Sequence, residues 1–200
     1  CNVQFAGGAA FVVRGLAVGL VGTPPATAAS GPESDQAGAS FGGSVSGAGD
    51  VNGDGYADVL VGARYYHIGH FDEGAAFLFL GSASGLVGTT PSTAIAFLKS
   101  DQAGAYFGTS VSGAGDVNGD GYADVVVGAP DFDDGQTDEG AAFLFLGSAS
   151  GLAGTAPTTA VATIASAQPS SALGQPLLCS RHLHGYGYAH VVEAASFLSA

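Results

Sequence analysis

The sequence is poor in basic residues. Its 200 residues hold four Lys and Arg together against 17 Asp and Glu, which gives a formal net charge of −13. Nucleic acids and anionic membrane surfaces bind through clustered Lys and Arg, so this balance argues against both as partners. Two cysteines are too few for a disulfide framework. Methionine is absent even at position 1, so we expect a mature form or a fragment.

A transmembrane segment is also not expected. Residues 5–22 are almost wholly apolar and approach the length of a bilayer span. They repeat the pattern of residues 71–88 at an offset of 66, with GAAF at 8–11 and again at 74–77. We therefore predict that 5–22 is a hairpin of a repeated unit and not a membrane helix.

Apolar residues and glycine are abundant. Apolar residues make up 46% of the chain and 34 residues are glycine. This composition can form a substantial core, so global disorder is not expected. The glycines, with many serines and threonines, indicate short strands joined by tight turns.

A 66-residue repeat organises the chain. Residues 34–98 align with 100–164 without a gap; 16 of the 65 positions differ, so 49 are identical. A repeat of this length is a supersecondary unit that stacks on its own copies. It predicts four parts: the end of a preceding unit (1–33), two complete units (34–99 and 100–165) and the start of a degenerate unit (166–200).

Each unit is predicted to hold four short strands, which in the first unit are 41–45, 57–63, 74–81 and 92–98. The apolar runs 59–61 and 77–80 are continuous, so both faces of those strands should be buried. A repeated four-stranded sheet that is apolar on both faces is typical of a β-propeller blade. We predict an all-β, propeller-type array, here an open arc of about three units with exposed ends.

The stretch GDVNGDGYADV occurs twice without change, at 49–59 and 115–125. Its oxygen-bearing side chains alternate, and the glycines between them permit a tight curl that would direct them to one centre. An all-oxygen set with three carboxylates suits Ca²⁺. Two calcium sites are therefore predicted, with these ligands: Asp50, Asn52, Asp54, the Tyr56 carbonyl and Asp58; and Asp116, Asn118, Asp120, the Tyr122 carbonyl and Asp124.

The acidic stretch has two other possible interpretations. It begins like an EF-hand loop, but position twelve is Val61 instead of a bidentate Glu and the flanks are predicted strands. An EF-hand is therefore the wrong assignment. The alternative without metal is an acidic β-turn, since Asn-Gly and Asp-Gly are also hairpin residues.

The order of these motifs resembles the FG-GAP repeat family, which includes the blades of the integrin α-subunit propeller and bacterial relatives. Phe107-Gly108, the acidic loop and Gly128-Ala129-Pro130 follow one another in the second unit. The first unit has Phe41-Gly42, but Arg64 replaces the proline. The resemblance covers about residues 8–165. It implies a seven-bladed propeller and a role in adhesion outside the cell.

A third unit retains the repeat but not the acidic residues. At the positions of Asp116, Asn118, Asp120 and Asp124, the offset places His182, His184, Tyr186 and His190. Imidazole ligands would suit Zn²⁺ or Cu²⁺. The alternative is decay of the site, and the sequence carries no partners that would support a converted one.

The loop after the second strand carries the predicted partner surface. Seven of the 16 differences between the units fall in 64–71 and 130–137, on an otherwise nearly unchanged framework. Loops on a rigid scaffold commonly hold binding residues, although drift in an exposed loop explains the contrast equally well. The predicted contact residues are Tyr65, Tyr66, Phe71, Asp131, Asp133 and Asp134.

No catalytic constellation is recognised, so an enzyme is not expected. The serines of GGSVSG and GTSVSG have no assigned His or Asp partner, and the remaining carboxylates fall mostly in turns. We predict a calcium-binding propeller module at the cell surface or outside the cell, whose partner is a protein, a glycan or further blades. The alternative is a non-catalytic propeller attached to a secreted hydrolase or lyase.

Overall fold

The computed structural model describes residues 8–10, 15–16, 19–20, 31–175, 177–181 and 189–193. Two four-stranded antiparallel sheets form its body, each ordered as in the chain. The first sheet contains β3 (Phe41–Gly49), β4 (Asp58–Ala63), β5 (Ala75–Phe79) and β6 (Ala96–Lys99). The second sheet contains β7 (Ser110–Gly115), β8 (Asp124–Ala129), β9 (Ala141–Phe145) and β10 (Ala162–Ala165). The all-β fold with propeller-type sheets is confirmed.

The strand pairing of the first sheet recurs in the second sheet at the 66-residue offset of the sequence repeat. Val61 pairs with Phe77 in the first sheet, and Val127 pairs with Phe143, 66 residues later. Both sheets also shift register at the same place, after Gly47 and after Gly113. The continuous apolar runs are buried on both faces, because neighbouring layers cover each sheet.

The predicted strand at 92–98 is wrong in its first half. Pro91–Thr93 form a 3₁₀ turn, and β6 begins only at Ala96. Pro91 has no N–H to donate to a ladder. The Thr93 hydroxyl accepts the backbone N–H of Thr89 at 3.1 Å and of Thr90 at 3.0 Å, which closes the chain into a turn. The first strand is longer than predicted and reaches Gly49.

An apolar cluster joins the two sheets. Leu78 and Leu98 of the first sheet are fully buried in a cluster that includes Phe145 of the second sheet and Phe107, which precedes it. A separate cluster, built around Phe41, Phe77 and Phe79, covers the other face of the first sheet. Each sheet therefore stacks face to face on the next, as blades do.

Glycine permits this close stacking. A Cβ at Gly62 would lie 2.1 Å from the carbonyl oxygen of Gly108, a distance that no side chain can occupy. The Ser44 hydroxyl donates to the same carbonyl at 2.8 Å. A Cβ at Gly128 would likewise lie 2.2 Å from the carbonyl oxygen of Gly174.

Backbone pairs before the first sheet and after the second sheet also match pairs of these sheets at an offset of 66 residues. Ala9 pairs with Glu33, as Ala75 pairs with Lys99. Short strands β1 (Gly15–Leu16) and β2 (Gly19–Leu20) pair with one another. Strands β11 (Leu177–Arg181) and β12 (Ala189–Glu193) pair in the register of β7 and β8.

Much of the first and last predicted units lies outside the described residues. Most of the apolar stretch 5–22 lies outside them, as do His182 and His184. The side chain of His190 lies outside them as well. The boundaries of these units and the choice between a converted and a decayed metal site stay predictions. No helix of the described residues is long and apolar enough to cross a membrane.

Candidate functional site

The two acidic stretches form the loops between β3 and β4 and between β7 and β8. We name them the first acidic loop (50–58) and the second acidic loop (116–124). Gly53 and Gly55 have φ values of 75° and 89°, and Gly119 and Gly121 follow at 78° and 93°. These left-handed conformations favour glycine, which explains why glycine separates the polar residues.

Asp50 organises the curl of the first acidic loop. Its Oδ1 accepts the backbone N–H of Gly53 at 2.7 Å and of Asp54 at 3.0 Å, and its Oδ2 accepts that of Gly55 at 2.8 Å. A carboxylate that accepts several backbone N–H groups fixes the path of the chain around itself. Asp116 does the same in the second acidic loop, with three donors at 2.7–3.1 Å.

The middle of each acidic loop is exposed. Asp54 accepts the backbone N–H of Tyr56 at 2.9 Å and the side-chain amide of Asn52 at 3.0 Å. The Asn52 side chain accepts the backbone N–H of Asp54 at 3.2 Å. Asn118, Asp120 and Tyr122 repeat these bonds in the second loop. The predicted ligands Tyr56 and Tyr122 thus contribute their N–H groups here, and their carbonyl roles stay predictions.

Asp58, at the end of the first acidic loop, is 1% exposed. Its Oδ2 accepts the backbone N–H of Val51 and its Oδ1 that of Gly81, both at 2.8 Å. The carboxylate therefore ties the loop to the strand end after β5. Asp124 is equally buried and accepts the N–H groups of Val117 and Gly147 at 2.7 and 2.9 Å.

Burial raises the pKa of Asp58 above its ordinary value of 3.8. The N–H groups of Gly81 and Val51 oppose this effect, while the negative charges of Asp54 and Asp50 add to it. Asp124 has its pKa raised for the same reasons, burial first. Each loop thus concentrates negative charge around a carboxylate that is removed from water.

The donor set of each acidic loop fits a hard dication by type and by charge. Three carboxylates and an amide oxygen are the ligands that Ca²⁺ takes, and a dication would offset the repulsion around Asp58 or Asp124. The side chains themselves are not gathered. Within the residues that the structure describes, no three His, Cys, Asp or Glu side chains form a group that could hold a metal ion. The carboxylate oxygens instead accept N–H groups of their own loop and, at Asp58 and Asp124, those of Gly81 and Gly147.

Comparison with known proteins agrees with the motifs. A family model of the FG-GAP repeat matches residues 41–79 and 107–145. The chain contains two FG-GAP repeats. Phe41 and Phe107 of these repeats are buried, and a Cβ at Gly108 would lie 2.1 Å from the carbonyl oxygen of Ala75. The two letters FG thus describe a core aromatic followed by a close backbone approach.

The FG-GAP repeats of this chain are similar to parts of integrin alpha subunits. Integrin alpha-PS5 of Drosophila melanogaster is 41% identical over 97 residues, which cover 46% of this chain and 9% of the relative. Integrin alpha-IIb of Mus musculus is 37% identical over 108 residues, covering 52% and 10%. Integrin alpha-PS3 of Drosophila melanogaster is 35% identical over 159 residues, covering 76% and 12%. The chain spans about a tenth of the length of these relatives.

The variable loop of each FG-GAP repeat lies at the opposite end of the sheet from its acidic loop. The acidic loop precedes β4 and the variable loop follows it, so the two flank the same strand. We name 64–73 and 130–139 the first and second variable loops. The backbone N–H of Tyr106 donates to the carbonyl of Asp72 at 3.2 Å, which joins the first variable loop to the segment that enters the second repeat.

The structure places the predicted contact residues of the first variable loop in different environments. Phe71 is 74% exposed and stacks on His67 with ring centroids 4.9 Å apart. Tyr65 is half-buried, with the Arg64 guanidinium 4.5 Å from its ring centroid and Tyr106 packed edge-on at 5.6 Å.

The prediction for Tyr66 is wrong. Its ring packs on Phe77 at 5.1 Å inside the core, and its hydroxyl donates to Asp35 at 2.7 Å, so only 9% of the residue is exposed to a partner. Phe132 occupies the same place in the second repeat and packs on Phe143 at 5.0 Å. An aromatic residue at this position in both copies was the available signal for a core role.

The predicted acids of the second variable loop also differ from one another. Asp131 is partly buried, which raises the pKa of its carboxyl, and Asp138 and Asp133 raise it further. Asp133 and Asp134 are exposed. Asp133 accepts the backbone N–H of Asp138 at 2.7 Å, so one of its oxygens stabilises the loop itself.

Two buried glutamates were missed by sequence reasoning. Glu73 is fully buried, and its Oε1 accepts the backbone N–H groups of Ile68 at 2.6 Å and Gly69 at 2.8 Å. Glu139 is 3% exposed and accepts the N–H of Asp134 at 2.6 Å. Both stand in an unchanged Asp-Glu-Gly that directly follows the variable positions, and this was the signal for a structural role.

Proposed function

We propose that this chain is a calcium-binding FG-GAP module that mediates adhesion, or binding of a protein or glycan, at the cell surface or outside the cell. The observation that best supports calcium binding is the pair of buried carboxylates, Asp58 and Asp124, each of which lies beside two further acids of its loop. Among the described residues, the ion pairs of Asp and Glu involve other acids: Asp72, Glu73 and Asp101. A bound dication would supply the charge that these loops lack.

Calcium would replace part of the internal hydrogen bonding of each loop. Oδ2 of Asp50 and both oxygens of Asp58 each accept one backbone N–H, and a carboxylate oxygen has a second lone pair for a metal. Asp54 has to give up the amide of Asn52. The exchange at Asp54 and Asn52 involves exposed side chains and leaves the backbone curl around Asp50 in place.

The proposed role in adhesion depends on the resemblance to integrin alpha subunits and on the variable loops. Phe71 and Ile68 are exposed on the first variable loop, at 74% and 44%. Aromatic residues are enriched at the centres of protein interfaces. The second variable loop offers Asp133 and Asp134, which would suit a cationic partner. The two loops would thus contact chemically different parts of a partner.

Calorimetric titration of the 200-residue chain with Ca²⁺ tests this proposal. We expect two sites, with a dissociation constant of roughly 10⁻⁴ to 10⁻³ M as in extracellular modules. Saturation should raise the free energy of unfolding by about 1 kcal/mol or more per site. Asp54→Ala and Asp120→Ala should each remove one site, while Asp134→Ala, which removes the same charge outside the acidic loops, should remove none. Fewer than two sites, or a melting temperature that EDTA does not change, would contradict the proposal.

A further inference from the structure

The first variable loop is closed by a histidine that acts as a hydrogen-bond acceptor. His67 Nδ1 accepts the backbone N–H of Asp72 at 2.8 Å. Asp72 has a φ of 49°, a left-handed conformation that is uncommon for a residue other than glycine. An imidazole nitrogen that accepts an N–H carries no proton, so the ring is neutral with its proton on Nε2. The turn from 67 to 72 therefore depends on the protonation state of His67.

The second repeat builds the same turn from a different acceptor. Asp133 lies 66 residues after His67, and its Oδ1 accepts the backbone N–H of Asp138 at 2.7 Å. Asp138 has a φ of 51°, so the backbone conformation is the same. The two acceptors differ in chemical type, because histidine is the side chain whose ordinary charge change falls between about pH 5 and 8. One molecule thus contains a turn of each kind.

Several groups surround the His67 ring. Its side chain is 40% exposed and stacks on Phe71, so solvent protons reach it. The carboxylate of Asp72 lies 3.7 Å from Nδ1. The other titratable or charged groups of the loop are Arg64, Tyr65, Tyr66, His70 and Glu73. On the neighbouring segment, Gln36 binds the backbone of His67 through both ends of its amide, and Asp35 accepts from Tyr66.

We propose that the first variable loop is a pH-responsive turn, whereas the second is not. Protonation of His67 at Nδ1 turns the acceptor into a donor, so the N–H of Asp72 loses its partner. The new N–H is attracted to the Asp72 carboxylate, which lies beside the ring. The ring therefore changes partner from main chain to side chain, and the turn that holds Phe71 loosens. The Asp133 turn keeps its bond under the same conditions.

His70 responds to pH in the opposite sense. Its Nδ1 lies 3.3 Å from Oε2 of the buried Glu73. Protonation of His70 would strengthen this contact and hold the base of the loop more firmly. The second repeat has Gln136 at this position. Replacement of His70 by Gln therefore separates the two effects.

The consequence for binding rests on the proposed function, because it requires that the first variable loop contacts a partner. Acidification would then weaken contacts made by Phe71 while leaving those of the second variable loop unchanged. The turn itself does not depend on that proposal. The experiment below measures the turn alone, so failure of the partner proposal and failure of this one are distinguishable.

Amide hydrogen exchange by ¹H–¹⁵N NMR tests the proposal on the full 200-residue chain. The measured quantity is the protection of the Asp72 amide divided by that of the Asp138 amide in the same sample, so the general pH dependence of exchange cancels. Loss of one hydrogen bond should lower this ratio about fivefold when the pH is lowered from about 7.5 to about 5. His67→Asp should abolish the change, Asp133→His should produce it at Asp138, and His70→Gln should preserve it.

A ratio that stays constant with pH in the unaltered chain overturns the proposal. So does a pH response of Asp72 that persists in folded His67→Asp, since the proton then binds elsewhere. If His67→Asp fails to fold, the protection ratios of the unaltered chain and of Asp133→His still test the proposal. Each of these chains contains both turns, so one turn serves as the reference for the other.

Discussion

At the residue scale, Asp58 and Asp124 have two requirements that conflict. Each is buried, which penalises its charge, yet each must be an acceptor for two backbone N–H groups. An amide side chain would relieve the first requirement but, with a single acceptor oxygen, would fail the second. Protonation of this carboxyl relieves the penalty of burial while the oxygens still accept, so the raised pKa of Asp58 and of Asp124 favours the metal-free fold as the pH falls.

Asp58→Asn should destabilise the metal-free chain by about 1–3 kcal/mol at neutral pH, because the amide keeps one acceptor oxygen and leaves one N–H group without a partner. The difference in the free energy of unfolding between Asp58→Asn and the unaltered chain should grow as the pH falls. Burial raises the pKa of Asp58 in the folded chain above 3.8, so the unaltered protein takes up a proton on folding and gains stability as the pH falls through the raised pKa towards 3.8. Asn cannot gain this proton.

Urea unfolding of Asp58→Asn and the unaltered chain in EDTA, at about pH 7 and about pH 4.5, measures this difference. The control is Asp134→Asn, an exposed acid outside the acidic loops. A destabilisation of Asp58→Asn that is the same at both pH values would show that Asp58 is not held at a raised pKa.

Alternation of oxygen-bearing side chains was sufficient to predict which residues form the acidic loops. It could not reveal what their oxygens bind in the fold. Gly81, a donor to Asp58, lies 23 residues along the chain and reaches it only through the pairing of β4 with β5. Tyr66 was misassigned because its neighbours are variable and exposed, while its own ring turns inwards onto Phe77.

At the scale of the element, each variable loop is a changeable segment between two fixed ends. The strands on either side keep their sequence and register, and the buried glutamate anchors the loop from below. Such an arrangement permits exchange of the loop residues without loss of the sheet. Strand positions were therefore easier to predict than loop contacts, apart from the 3₁₀ turn at Pro91–Thr93, which depends on a threonine side chain that binds its own backbone.

Grafting residues 130–137 onto 64–71 should abolish adhesion of the full-length protein to its matrix or cell target if the first variable loop makes the contact. Glu73 remains to accept the loop N–H groups, so the melting temperature and both calcium sites should be retained. The single changes Ile68→Asp and Phe71→Thr, which introduce the residues of the second loop, should account for most of the loss, because these side chains are exposed. If the grafted protein folds and its adhesion is unchanged, the first variable loop only connects two strands and does not contact the partner.

At the scale of the whole molecule, the interface between the two sheets shows what each sheet face requires. Val111 is 7% exposed and Leu98 is fully buried at this interface. Their equivalents on the outer faces, Val45 and Ile164, are 52% and 44% exposed. The two described sheets therefore leave exposed, at Val45 and Ile164, the counterparts of residues that their shared interface buries. The 66-residue repeat predicted the stacking, but only the structure identifies the residues left uncovered.

These complementary faces should cause a concentration-dependent, head-to-tail association of the 200-residue chain, because a face like that of Val45 fits a face like that of Ile164 in the internal interface. Sedimentation velocity should show an average mass that rises with protein concentration. Val45→Asp and Ile164→Asp should each reduce this association. The double variant should associate about as weakly as either single variant, because each contact needs both faces. Val87→Asp, which charges an equally exposed valine in a turn, should have no effect. A chain that remains monomeric at every concentration would contradict the expectation, and a reduction as large for Val87→Asp would mean that net charge, and not the two faces, controls the association.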